Sequence, residues 1–312
     1  MIIYSIFLLA ISLSLIAVLS ERVIRYVLVL SRASGLSEMA AGFILLSVAT
    51  SLPELSVSTV AAFAGEAGLS VGNVLGSNVA NLTIIIGLAV FFSKTEVLVK
   101  GQSQKELVQF LFISSIIPLF IVQRGALGHV LGVVLLILFI YFLLMVSRKT
   151  EFVEPVRRGP TAMVGLKFMV SVVLIVLLSR LVVDSSVDIA EFVGLPRSII
   201  GATIIGLGTS LPELATTTQA LRERLFGMAL GNLLGSCVTN ITLILGISSL
   251  ISFSEVNVFA VESIMFYVLL SSLTVWYMVG TGERISRRGA FFLCVIYVVF
   301  VLQQVGVSVV IF

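Results

Sequence analysis

Thr50-Ser51-Leu52-Pro53-Glu54-Leu55 and Thr209-Ser210-Leu211-Pro212-Glu213-Leu214 are the same six residues, 159 positions apart. Each copy lies inside a long apolar run and so places a glutamate where lipid or protein has to surround it. An ionised carboxylate at that depth is costly, which makes an intramembrane glutamate a functional-site candidate by default. Pro53 and Pro212 have no N–H, and their rings clash with the carbonyl four residues earlier, so each helix is expected to kink or open there. That frees carbonyls around Ala49 and Thr50, and around Gly208 and Thr209. Opened backbone at such depth is tolerated only where it is buried in protein or lines a polar cavity. Thr50 and Glu54 are four apart and share one helical face, as do Thr209 and Glu213.

Hydrophobic residues make up 59% of the 312 residues and charged ones only 11%, a composition that soluble domains do not have. The chain therefore reads as an all-α membrane protein, because unbroken apolar runs of about 20 residues are helical spans. A transmembrane barrel would show short alternating segments instead. The formal charge of +3 is small and divides by side of the membrane, so it implies no nucleic-acid partner. Cys237 and Cys294, both in apolar surroundings, read as packing residues. His129 is the only histidine, which leaves no Cys/His metal spacing. The N-terminus, Met-Ile-Ile-Tyr, lacks a basic stretch, so the first apolar run reads as a retained helix.

Ten spans are expected, near 3–20, 39–64, 69–93, 105–122, 127–147, 162–183, 196–220, 226–252, 257–279 and 288–310. The second, third, seventh and eighth carry Gly, Ser, Thr, Asn, Pro and Glu inside the apolar run, and these are the discontinuous central helices. The segment from Arg148 to Pro160, charged and containing Pro155, divides the chain near its middle. This gives residues 1–147 as a first repeat of five spans, 148–161 as a cytoplasmic linker and 162–312 as a second repeat. Loops after odd-numbered spans carry Arg22, Arg25, Arg32, Lys94, Lys100, Lys105, Arg148, Lys149, Arg157, Arg158, Arg222, Arg224, Arg284, Arg287 and Arg288, which is fifteen of the 19 basic residues. By the positive-inside rule both termini are expected outside the cytoplasm.

The offset of 159 extends beyond the six-residue stretch. Gly72-Asn73 aligns with Gly231-Asn232, Gly76-Ser77 with Gly235-Ser236, Asn81 with Asn240, Gly42 with Gly201 and Gly87 with Gly246. Each half holds five spans, an odd number, so the second half is expected upside down relative to the first, as in many secondary transporters. Asn73, Ser77 and Asn81 recur every four residues and form a polar stripe on one helix, and Asn232, Ser236 and Asn240 do the same. Gly72 and Gly76 permit close helix packing. Two carboxylates, freed carbonyls, hydroxyls and amide oxygens make an all-oxygen site, suited to hard cations such as Ca²⁺, Na⁺ or Mg²⁺. A charge of −2 matches one Ca²⁺ or two protons, and carboxylates held close together disfavour double ionisation, so protons are expected to compete.

The Gly-x(7)-Thr-Ser-Leu-Pro-Glu helix followed by Gly-Asn-x-x-Gly-Ser-x-x-x-Asn, occurring twice, resembles the α-repeats of the calcium/cation antiporter superfamily, which includes Na⁺/Ca²⁺ and Ca²⁺/H⁺ exchangers. The resemblance implies alternating access, with eight core helices holding the site while the first and sixth slide past them. It implies Ca²⁺ binding by Glu54 and Glu213 and carbonyl oxygens from Thr50 and Thr209. It further implies help with monovalent ions from Ser51, Ser210, Ser77, Ser236, Asn81 and Asn240. Ca²⁺ would be the transported substrate and H⁺ or Na⁺ the counter-ion, with no prosthetic group, in the plasma membrane of a prokaryote and in a monomer. Exchangers of the Na⁺/Ca²⁺ type usually carry an aspartate where this chain has Asn240. With two carboxylates and not three, the reading leans to protons, with Na⁺/Ca²⁺ exchange as the alternative and a cation channel behind it. Glu106 and Glu262 read as interfacial, with ion access as the other role. Asp184, Asp188 and Glu191 read as a solvated external loop that could also attract cations. An intramembrane protease is disfavoured, because Asp184 and Asp188 sit together and one histidine supports neither a His-Glu-x-x-His helix nor a Ser–His pair near the repeats.

Overall fold

The computed structural model describes residues 2–32, 46–99, 102–148, 162–252 and 254–306. Gly42, the first part of the second expected span and the interior of the expected linker lie outside the described residues. The first half contains α1 (Ile2–Arg32), α2 (Ser47–Thr50), α3 (Leu52–Phe63), α4 (Ala67–Ala80), α5 (Ile86–Ser93), α6 (Gln102–Ile116), α7 (Leu119–Arg124) and α8 (His129–Arg148). The second contains α9 (Ala162–Val193), α10 (Arg197–Ile200), α11 (Gly206–Thr209), α12 (Leu211–Arg222), α13 (Phe226–Thr239), α14 (Leu245–Ile251), α15 (Val258–Gly282) and α16 (Arg287–Gln304). Three π-helical turns, Asn81–Ile85, Gly201–Ile205 and Asn240–Ile244, join α4 to α5, α10 to α11 and α13 to α14.

Among the described residues eight helices are long and apolar enough to cross a membrane, and nine when the bent segment Arg197–Arg222 counts as one span. Of the ten expected, the second is the one not counted, since its described part is only α2 and α3. The repeat visible in the sequence reappears in the elements. Shifting α2, α3, α4 and the first π turn by 159 reproduces the bounds of α11, α12, α13 and the third π turn.

Burial separates centre from periphery. The stretches Ala67–Ser93 and Phe226–Ile251 are 83% and 78% buried, whereas α1, α8 and α9 are only 28%, 22% and 28% buried in their apolar windows. The outer helices present Phe7, Val130, Leu144, Met163 and Leu177 outward, as lipid-facing helices do. Small residues let the central helices touch. A Cβ on Gly72 would stand 2.1 Å from the Ser198 carbonyl oxygen, and one on Gly76 would stand 2.2 Å from the Ala202 backbone. The Gly-xxx-Gly face thus packs α4 of the first half against α10 and the following turn of the second.

Two helices run further than expected. α1 continues through Arg22 and Arg25 to Arg32, and α9 continues through Asp184 and Asp188 to Val193. The loop expected around Asp184, Asp188 and Glu191 is therefore helix. The two long helices pack along each other, and their polar ends are tied. Ser5 Oγ donates to Asp188 Oδ2 at 2.8 Å, and Arg180 pairs with Asp184 at 3.0 Å across one turn. Ser5 begins α1 and Asp188 lies near the end of α9, so the two run antiparallel.

The loops pair within two separate sets. β1 (Val97–Leu98), after the third expected span, pairs antiparallel with β2 (Arg284–Ile285), after the ninth. Beside that ribbon Lys105 Nζ meets Glu283 Oε1 at 2.5 Å, which holds the Glu283 carboxyl below the usual carboxylate range. The pair is accordingly retained above that range and lost in acid as Glu283 takes up a proton. On the other set, Ala126 bridges to Glu255, and Arg197 joins Glu66 and Glu191. Loops after odd-numbered spans meet one another, and so do loops after even-numbered ones.

Candidate functional site

Ser51 lies between α2 and α3, and Ser210 between α11 and α12, with nearly identical torsions (φ −80°, ψ 5° and φ −86°, ψ 6°). Each proline sits in the first turn of the second helix piece, where the missing N–H costs nothing. The axis bends by 41° at the second break. Glu54 and Glu213 fall in the first turn of α3 and α12, where the positive end of a helix dipole favours a carboxylate.

Twelve polar residues of the repeated motifs are buried: Thr50, Ser51, Glu54, Asn73, Ser77 and Asn81 in the first half, Thr209, Ser210, Glu213, Asn232, Ser236 and Asn240 in the second. Their hydrogen bonds cross between the halves, and they do so twice over in the same way. Thr50 Oγ1 donates to Asn232 Oδ1 at 3.1 Å, and Thr209 Oγ1 donates to Asn73 Oδ1 at 3.3 Å. Thr50 Oγ1 lies 3.1 Å from Ser236 Oγ, and Thr209 Oγ1 lies 3.4 Å from Ser77 Oγ. Ser77 Oγ donates to the Gly206 carbonyl at 3.2 Å, and Ser236 Oγ donates to the Ser47 carbonyl at 3.4 Å. Residues 159 apart therefore make reciprocal bonds, each to the other half of the chain.

Asn73 and Asn232 are fully engaged. Asn73 Nδ2 donates to Ser58 Oγ at 2.9 Å and to the Glu54 carbonyl at 3.3 Å. Asn232 Nδ2 donates to Thr216 Oγ1 at 2.9 Å and Thr217 Oγ1 at 3.1 Å. These two amides bracket the breaks, and their oxygens are already taken by the threonine hydroxyls. The unpartnered atoms lie elsewhere. Ser210 Oγ donates to Glu54 Oε1 at 3.0 Å, but Glu54 Oε2, both carboxylate oxygens of Glu213, Ser51 Oγ, both amide atoms of Asn81 and Asn240 Oδ1 have no hydrogen-bond partner. Buried polar atoms without partners are rare, and each calls for an explanation such as an ion. They lie on two helix breaks and in the helical segments that follow them, with members from both halves of the chain.

Among the described residues no group of three or more His, Cys, Asp or Glu side chains could hold a metal ion. A cation here would rest on two carboxylates and neutral oxygens, a donor set for transient binding of Ca²⁺ and not for a resident transition metal. Cys237 is a fully buried member of the hydrophobic core, as expected, but it also borders Asn81. Cys294 packs too, against the space that a Cβ on Gly87 would fill. Asn78 was not singled out in the sequence. It binds Asn240 and the Cys237 backbone, but the offset of 159 aligns it with Cys237, so repetition does not mark it.

Fold and site together define a polytopic helical membrane protein with a buried oxygen cluster at paired helix breaks. The family model described as "Sodium/calcium exchanger protein" matches residues 4–148 and 164–306, and the chain belongs to that family of calcium-transport antiporters. The inner membrane protein YrbG of Escherichia coli is 29% identical over 309 residues, covering 91% of this chain and 93% of that one. The sodium/calcium exchanger MaX1 of Methanosarcina acetivorans is 28% identical over 321 residues, covering 86% and 89%. A solved structure of the sodium-calcium exchanger NCX_Mj, soaked with Na⁺ and Sr²⁺, superposes with a TM-score of 0.68 at 25% identity, covering 96% of this chain and 98% of that one.

Proposed function

We propose that this protein is a Ca²⁺/H⁺ antiporter whose single cation site is built on Glu54 and Glu213. The observation that supports the reading is that the buried side-chain atoms without partners include three of the four carboxylate oxygens of Glu54 and Glu213, together with atoms of Ser51, Asn81 and Asn240. Ca²⁺ takes six to eight oxygens in flexible geometry, which carboxylates, Ser51, Asn81, Asn240 and the freed carbonyls of Thr50 and Thr209 can supply from two sides. Ser77, Ser236 and Ser210 line the same gap and would help with monovalent ions, while Asn73 and Asn232 hold the frame. Asn240 adds no charge, so one Ca²⁺ or two protons neutralise the site. Two protons and one Ca²⁺ would then alternate on the same carboxylates.

Na⁺/Ca²⁺ exchange is the second reading, favoured by the names of MaX1 and NCX_Mj. In proteoliposomes, a proton gradient alone is expected to drive Ca²⁺ uptake without Na⁺, and uptake driven only by a Na⁺ gradient would replace the first reading by the second. Voltage separates them as well. Two H⁺ per Ca²⁺ moves no net charge, whereas three Na⁺ would move one, worth about 2.3 kcal/mol per 100 mV. A clamped membrane potential is expected to leave the uptake rate unchanged.

The same proposal includes the transport cycle. Residues 1–147 and 162–312 would form two inverted repeats joined by a cytoplasmic linker at 148–161, with both termini outside the cytoplasm of a prokaryotic plasma membrane and a monomer as the working unit. The antiparallel run of α1 and α9, the first helices of the two halves, supports inversion. Their large exposed surface supports a role as the pair that slides against the rest. Glu106 and Glu262, at the starts of α6 and α15, would bear on ion access only from the margin.

A further inference from the structure

Asn78 lies fully buried where α4 and α13 meet, one position beyond Ser77. Its side-chain nitrogen donates to the Cys237 carbonyl at 3.0 Å, and its side-chain oxygen accepts from Asn240 Nδ2 at 3.0 Å. These two bonds leave one choice for both amides. A peptide carbonyl can only accept, so the end of Asn78 at Cys237 has to be the nitrogen. The other end is then oxygen, and it needs the nitrogen of Asn240. Asn240 Oδ1 is thereby turned away from Asn78, and it is one of the buried acceptors without a partner. Asn240 follows Ser236 by four residues and shares its face of the helix, the face on which Ser236 Oγ meets Thr50. The free oxygen therefore belongs to the side of α13 that looks onto the helix breaks.

We propose that Asn78 is a positioning residue for the cation site: it holds the Asn240 amide so that its oxygen faces the cation, and it makes position 240 selective for a neutral ligand. This rests on the assignment of the site to Glu54 and Glu213. An aspartate at 240 would set a carboxylate oxygen against Asn78 Oδ1. Relief would require either a proton on the aspartate, whose O–H could then donate to Asn78 Oδ1 at the expense of the added charge, or Asn78 to turn over, which leaves the Cys237 carbonyl unpaired in the core and faces it with a second oxygen. The neutral residue at 240 and the amide at 78 are thus parts of one arrangement. The first half has no counterpart, because Cys237 offers Asn81 a thiol in place of an amide oxygen, and neither amide atom of Asn81 is hydrogen-bonded. One amide ligand is clamped by a second amide, and the residue at the equivalent position in the first half is not.

The test is a double-mutant cycle read as the half-saturating Ca²⁺ concentration for uptake into proteoliposomes. N78A is expected to raise it about tenfold or more, the usual effect of removing a partner that orients a metal ligand. N240A is expected to raise it at least as much, and the double variant is expected to match N240A alone, because Asn78 acts only through Asn240. N240D with Asn78 in place is expected to bind Ca²⁺ more weakly than the wild type. N78S, whose hydroxyl is too short to span both partners, is expected to follow N78A and serves if N78A does not fold. A silent N78A, or effects of N78A and N240A that multiply independently, overturns the proposal. Glu213→Gln is measured alongside. If it abolishes uptake while N78A is silent, only the positioning role falls; if it transports like the wild type, the site assignment falls and the positioning role with it.

Discussion

Glu213→Gln and Glu54→Gln are each expected to reduce Ca²⁺ exchange in proteoliposomes to background. Glutamine keeps the shape of the side chain but removes half of the charge that a divalent cation has to meet, and no third carboxylate compensates. The two variants differ in their effect on the fold. Glu54 Oε1 accepts a hydrogen bond from Ser210, which a glutamine oxygen can still accept, so the ion-free protein should melt close to the wild type. Both oxygens of Glu213 are buried without a partner, whereas Glu54 has one oxygen bonded, and a buried carboxylate with no hydrogen bond costs more than a neutral amide in its place. Removing the charge of Glu213 is therefore expected to raise the thermal midpoint of the ion-free protein while destroying transport, a trade common at functional sites. Ca²⁺ at a hundred times its dissociation constant should stabilise the wild type by about 2.7 kcal/mol, and neither variant should show that rise. Retained exchange in either variant, or an unchanged response of its melting to Ca²⁺, would remove that glutamate from the site.

Gly76→Ala is expected to be the most damaging small substitution in the chain, with Gly72→Ala close behind. The added carbon would sit 2.2 Å from the Ala202 backbone in one case and 2.1 Å from the Ser198 carbonyl in the other. Overpacking a core costs about 1–3 kcal/mol when side chains can move aside, and here the obstructing atoms are main chain of the facing helix. The helices have to part, and the Ser77 bond to the Gly206 carbonyl at 3.2 Å parts with them. Loss of a monodisperse peak in detergent, or a large fall in thermal midpoint, is the expected result. Gly165→Ala and Gly280→Ala, where an added carbon meets nothing within 4 Å, are the controls. If Gly76→Ala melts with them, the close approach of α4 to the facing helix is wrong.

Much of this molecule was legible from residue type and spacing, because membranes punish polar groups and so make their positions informative. Prolines beside glutamates announced two broken helices, since a missing N–H opens a helix whatever surrounds it. The shift of 159 residues announced the repeat, and polar residues every four positions announced the faces of α4 and α13. What periodicity could not show was where a helix stops in water. α9 runs on past its apolar stretch because it packs along α1 and because Arg180–Asp184 and Ser5–Asp188 satisfy its polar end. The three π turns, including the two that begin at Asn81 and Asn240, also leave no mark in a hydrophobic pattern.

The sequence by itself determined the class of the protein, the doubling of its central helices and the presence of a glutamate beside each helix-breaking proline. Each of those rests on a local property: the cost of a charge in lipid, the chemistry of proline, the recurrence of a motif. Only the tertiary structure decided which of the polar residues are bound to one another and which are left free. Asn232 and Asn240 lie on one polar stripe in the sequence, yet one has its oxygen taken by Thr50 and the other keeps its oxygen unpartnered. That difference depends on what the opposite half of the chain places against each amide, more than a hundred residues away. No spacing within one helix can encode it.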